Sequence, residues 1–71
     1  MKITDCIEKF ATPKATLARR IGIHRVQLYA FLDPGKYPTV TLTEETLQKI
    51  ADFEGRSLRA VRSEYERKAV A

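Results

Sequence analysis

The triplet Arg25-Val26-Gln27 carries two side chains with paired hydrogen-bonding groups, the kind that can read the edges of nucleic-acid bases. A guanidinium can grip guanine through two parallel bonds or hold a phosphate, and Arg25 is open to both uses. The Gln27 carboxamide can make paired bonds to adenine, while Val26 and Ala30 are small and apolar and suit thymine methyl groups. Tyr29 can reach a sugar-phosphate backbone through its hydroxyl, or lie half-buried beside another helix. His24 is the only histidine and Cys6 the only cysteine. They lie far apart in sequence, no set of metal ligands surrounds His24, and no glycine-rich phosphate loop or nucleophile motif is present. The acid pairs Glu44/Glu45 and Glu64/Glu66 fit helix ends and solvated faces. An enzyme is therefore not expected, nor a cofactor, a metal or a small-molecule ligand. His24 is left to cap a helix or to touch a phosphate.

The elements that must position these groups are helical. In KATLARRIGIHRVQLYAFLD, residues 14–33, apolar side chains at Leu17, Ala18, Ile21 and Ile23 repeat at helical spacing, break at Gly22, and restart in a new phase at Leu28, Phe31 and Leu32. Glycine tolerates the left-handed backbone such a turn needs, and Ala18 is small enough for a second helix to cross closely over the first. The spacing predicts a helix-turn-helix over residues 13–33, whose second helix, about 25–32, can enter a major groove. If Leu28, Phe31 and Leu32 are its buried side, steps of ~100° place Val26, Ala30 and Asp33 outward, with Tyr29 and Gln27 on the flanks. Arg25 then sits on the exposed first turn.

This unit resembles the DNA-binding unit of the phage Cro/repressor (Xre-type) family, carried here by Ala18, Gly22 and the apolar Leu17, Ile21, Ile23, Leu28 and Phe31. The continuation LTEETLQKIADFEGRSL is similar to the fourth helix of that family and the start of its fifth. The lac-repressor headpiece family shares the core unit and the TEET-like helix start, but lacks a helix ahead of it. The likeness spans roughly Thr12 to Val61. Three departures stand out: His24 replaces the usual Ser or Thr cap, the loop from Pro34 to Thr43 is longer than the common form, and Arg56 occupies a usually apolar position. The resemblance implies a compact, five-helix, lambda-repressor-like all-α fold. It also implies phosphate contacts from Lys14, at the start of helix two, and Lys36, just beyond helix three. The backbone N–H groups at the Thr12-Pro13 helix start can also face a phosphate.

Charge distribution agrees with a polyanion partner. The net charge is +4; residues 1–36 hold seven Lys and Arg against three acids, and residues 37–71 hold six of each. The excess sits on the half that carries the predicted helix-turn-helix, where neutralised phosphates would release counterions. Arg19 and Arg20, on helix two, are expected to face away from DNA or to lie over the core. With 71 residues the chain is expected to be one domain with a small core. Its N-terminus carries Asp5 and Glu8 where a signal peptide would be apolar, no stretch approaches a membrane span, and a lone cysteine fits a reducing compartment. A cytoplasmic protein is expected.

The remaining helices follow from caps and breaks. Thr4 or Asp5 is expected to cap helix one, which buries Ile3, Cys6, Ile7 and Phe10. Thr12 caps helix two with Pro13 at its first position. Asp33-Pro34-Gly35 stops helix three. Helix four begins after Thr43 and ends at Gly55, and Ser57 caps helix five, with Leu58, Val61 and Tyr65 on one stripe. Thr39–Thr43 alternates like a strand, yet an extended loop tucking Val40 or Leu42 inward fits a helical domain better. The tail Ala69-Val70-Ala71 is expected to fray.

Two functions from different classes follow. One is a sequence-specific double-stranded-DNA-binding regulator of the kind phages, plasmids and mobile elements encode, acting as a homodimer through Tyr65, Ala69 and Val70. With no sensing domain in view, its occupancy would be set by concentration, dimerisation or a partner. The other is a helical protein-interaction module, antitoxin-like or adaptor, that keeps the fold without reading DNA.

Overall fold

The computed structural model describes residues 1–70, and every regular element among them is helical. The helices are α1 (Ile3–Phe10), α2 (Lys14–Ile21), α3 (Arg25–Leu32), α4 (Glu44–Glu54) and α5 (Leu58–Val70), with a single 3-10 turn at Pro34–Lys36. Each helix sends at least one fully buried large side chain to a common core: Ile3, Leu17, Leu28 and Phe31, Ile50, and Val61. Burying such a side chain contributes about 1.5–3 kcal/mol. The radius of gyration is 11.1 Å, the value of ~11 Å expected for one closely packed domain of this length. No helix among the described residues is long and apolar enough to cross a membrane.

Local chemistry sets most of the ends. Gly22 ends α2 at φ +87° and Gly55 ends α4 at φ +69°, both left-handed. At the first, the N–H groups of Gly22 and Ile23 both donate to the Ala18 carbonyl, at 2.9 and 3.0 Å, which folds the chain back into α3. Thr43 Oγ1 accepts from the Thr46 N–H at 3.3 Å to cap α4, and Ser57 Oγ accepts from Ala60 at 3.1 Å to cap α5. Residues 40–43 are an extended loop that buries Leu42 and half-buries Val40, with no strand among the described residues.

The turn makes two substitutions informative. Ala18 is 3% exposed between α2 and α3, and Gly22 has open space around it but a positive φ. Ala18→Leu therefore adds bulk at a covered position of α2, at about 1–3 kcal/mol, whereas Gly22→Val suffers backbone strain alone. Both should lower the melting temperature by calorimetry, roughly 4–8 °C per kcal/mol at this size. An unshifted Tm in either variant would contradict this packing.

Several expectations are corrected. No side chain of Thr4 or Asp5 caps α1; the helix starts earlier, at Ile3, and the Ile3 N–H donates to Glu54 Oε2 at 2.9 Å, a partner 51 residues away. Phe10 is 64% exposed rather than buried, because α1 turns off at Ala11 (φ +50°) and leaves its last residue outside the core. Pro13 has extended ψ and flanks α2 instead of starting it, so Thr12 lies one residue too far out to cap, and no side chain caps α2. Tyr65 is not a free surface residue: its ring stacks on Phe31 at 6.2 Å and 12°, and Lys68 Nζ lies 5.0 Å from the Phe31 centroid. Ala69 and Val70 remain exposed and helical, with Val70 84% exposed. Ala71 lies outside the described residues.

Arg56 explains its own departure from an apolar position. It bridges Glu54 and Glu64, at 3.0 and 3.2 Å, across the α4–α5 junction. Burial alone would lower the guanidinium's pKa, but the hydrogen bond to Glu54 and the charge of Glu64 outweigh it and leave the group raised.

Candidate nucleic-acid interface

Helix α3 presents a different face from the expected one. Ala30 is 0% exposed, although it was expected to face a groove, and Leu32, expected inside, is half-buried. The periodicity of 3.6 is right but its phase is off by less than one residue step of ~100°. With Leu28, Ala30 and Phe31 all covered, the open face centres near Tyr29, flanked by Arg25 and Leu32 on one side and Val26 on the other. Ala30 is therefore withdrawn from the candidate contacts. Val26 and Tyr29 stay half-exposed, and Arg25 is exposed on the first turn as expected.

A reciprocal cap organises that first turn. His24 Nδ1 accepts from the Val26 N–H at 3.2 Å, so its ring proton resides on Nε2. In return the His24 N–H donates to Gln27 Oε1 at 2.9 Å. Gln27 Nε2 donates to Thr46 Oγ1 at 3.1 Å. Each end of the Gln27 carboxamide thus makes one hydrogen bond within the chain and keeps a second lone pair and a second N–H, so the paired bonds to adenine expected of it would form alongside this network. His24 takes the capping role open to it in the sequence, and Gln27 braces the same turn.

Two hollows flank the open face. One, about 210 Å³, is lined by Lys14, Tyr29, Leu32, Asp33, Lys36 and Tyr37. It brings together Lys14 and Lys36, the two lysines placed on phosphates by resemblance, and Lys14 Nζ lies 5.6 Å from the Tyr29 ring centroid. Tyr29 and Tyr37 meet at 6.0 Å and 34°, so Tyr29 stands between a lysine and a second tyrosine. The other hollow, about 280 Å³, is lined by Ala15, Ala18, Arg19, Ile23, His24 and Arg25. Arg19 lines this hollow together with Arg25, and Arg20 lines neither. Tyr37 was missed because it lies in the 34–43 loop, whose path no local pattern sets. Arg19 had a signal, its four-residue spacing from Ala15 on one face of α2.

Ion pairing divides the molecule sharply. None of the seven cations at 2, 9, 14, 19, 20, 25 and 36 forms an ion pair among the described residues, while four of the six beyond them do: Lys49, Arg56, Arg62 and Lys68. Most cations of the second half are thus paired within the chain, and those of the first half are exposed to solvent. No protein-family model, curated protein or solved structure matches the chain.

Proposed function

We propose that this chain is a sequence-specific double-stranded-DNA-binding regulator of the Cro/repressor-like type, cytoplasmic and non-enzymatic, with α2 and α3 as a helix-turn-helix. The observation that carries it is the set of seven unpaired cations on the half that also holds α3's open first turn. In this reading Arg25, Val26 and Tyr29 enter the major groove. Lys14 and Lys36 take a phosphate beside Tyr29, Arg19 takes one on the far side, and the Nε2–H of His24 is a further donor. Two copies act together, since one such helix reads too few base pairs to define a site. A protomer measuring 29 × 24 × 19 Å fits two-fold half-sites one helical turn apart, ~34 Å. Ala69 and Val70 are the exposed apolar end of α5 left for that contact, and Val70→Asp, not Tyr65→Asp, is the clean probe of it.

Selection from a randomised duplex pool should yield a palindromic site. Lys14→Ala and Lys36→Ala should weaken all sequences alike, each flattening the plot of log affinity against log salt by up to about 0.9. A chain that enriches no sequence, and whose duplex affinity ignores salt, would instead be the protein-interaction module.

A further inference from the structure

Thr46, 5% exposed on α4, is with Glu54 one of two buried polar or charged residues among the described residues. Burial there asks only for an apolar side chain of similar shape, and a valine would supply it. The hydroxyl is held on both sides instead. It lies 3.1 Å from Gln27 Nε2 and 3.2 Å from Thr43 Oγ1, while the Thr46 N–H donates to that same Thr43 oxygen at 3.3 Å. Only one direction of hydrogen bonding satisfies every group. The Gln27 carboxamide must turn its oxygen to the His24 N–H, which leaves its NH₂ facing Thr46. Thr46 must therefore accept from Gln27, and its own proton goes to Thr43. Turning the carboxamide over would set its NH₂ against the His24 N–H, donor against donor.

We infer that Thr46, buried and touching no nucleic acid itself, is a positioning residue for base reading: through Gln27 it fixes the His24 cap and the first turn of α3 that carries Arg25. The chain of bonds runs Thr43, Thr46, Gln27, His24, from the start of α4 to the start of α3. A second contact from the same face of α4 steadies the turn before it, where Lys49 Nζ donates to the Gly22 carbonyl at 3.2 Å. Helix α4 therefore holds the α2–α3 turn at Gly22 and just beyond it at His24. The glutamine would otherwise be free to rotate about its side-chain bonds. Pinned, it holds the turn next to Arg25 in one geometry, and a two-bond contact to a base depends on such orientation. The specificity part of this inference rests on the DNA-binding reading above; the hydrogen-bond relay does not.

The test compares Thr46→Val, which keeps the shape and removes the hydroxyl, with Thr46→Ser, which does the reverse. A packing role alone favours Val over Ser in a buried site. The relay predicts the opposite order. Amide hydrogen exchange at His24, in the free protein, should quicken about fivefold in Thr46→Val, the worth of one hydrogen bond, and stay near the parent rate in Thr46→Ser. On duplex DNA, Thr46→Val should flatten base preference at the position read by Arg25, with random-sequence affinity and salt slope unchanged, and Thr46→Ser should retain the preference. Equal exchange in the two variants, or faster exchange in Ser, would overturn the relay. Faster exchange in Val with undiminished base preference would overturn the positioning role. A parent protein with no base preference would fail the DNA-binding reading, and the exchange measurement would still decide the relay.

Discussion

Arg56→Met should destabilise the domain by about 3 kcal/mol, out of a total of roughly 4–10 kcal/mol for a chain of this size. The reason is the carboxylate it would leave behind. The Glu54 side chain is 3% exposed, and among the described residues its ion-pair partner is Arg56, itself 22% exposed. Glu64 loses less, since Lys68 remains 3.6 Å away. Removing one member of a buried pair strands the other charge, a larger effect than the pair's net worth. The partial exposure of Arg56 places the cost at the lower end of that range. Arg56→Met combined with Glu54→Gln should recover much of the loss, because the glutamine oxygen can still accept from the Ile3 N–H while no buried charge remains. Chemical denaturation should then show a coupling of at least ~1 kcal/mol between the two sites. Additive losses would mean that Glu54 is hydrated in the folded state and that Arg56 acts through packing alone. Since the guanidinium's pKa is raised on folding, its contribution is fully present below its ordinary value, so it is constant across neutral pH and lost only in strong base.

This ion pair also marks where sequence reasoning stops. The ends of α2, α3 and α4 and the starts of α4 and α5 were legible because their signals are local: Gly22 and Gly55 supply left-handed ends, Asp33-Pro34-Gly35 halts α3, and Thr43 and Ser57 supply caps. The start of α1 was not, since its first N–H is met by Glu54, 51 residues away. No pattern within eight residues can show that. Arg56 reads as an anomaly until Glu54 and Glu64 are seen beside it. The candidate site divides the same way. Arg25 is exposed because it opens a helix, a local fact. The phase of α3 depends on how Ala30 and Leu32 share the inner side: Leu32 does pack against the core, but only half-buried, while Ala30 is fully covered. Ala30, with only a methyl group, gives up little water-facing surface either way, so three-dimensional fit decides its place. Tyr65 shows the same limit: a half-apolar ring at the end of a core stripe suits a core or a subunit contact, and its stacking on Phe31 is a tertiary fact that the stripe alone does not give.

Arg25→Ala should reduce affinity for the preferred duplex site far more than affinity for random DNA. A lost two-bond contact to guanine costs ~1–3 kcal/mol, roughly 5- to 150-fold in Kd, and relaxes preference at a single base position. Arg25 is suited to that contact on three counts. It is exposed, it forms no ion pair among the described residues, and it stands on the turn braced by His24 and Gln27. Lys14 and Lys36 share only the first two, and their ammonium groups carry charge without a planar fork. Charge and fork can be separated at one position. Arg25→Lys keeps the positive charge, so its salt slope should match the parent, yet base preference at the contacted position should fall nearly as far as in Arg25→Ala. Competition binding against the selected site and a scrambled duplex, across a salt series, measures both quantities together. If Arg25→Ala lowers specific and random affinity by one common factor, and Arg25→Lys restores both, the side chain holds a phosphate. Base reading would then fall to Val26 and Tyr29, whose apolar and single-hydroxyl contacts can favour thymine or touch a backbone but cannot select guanine.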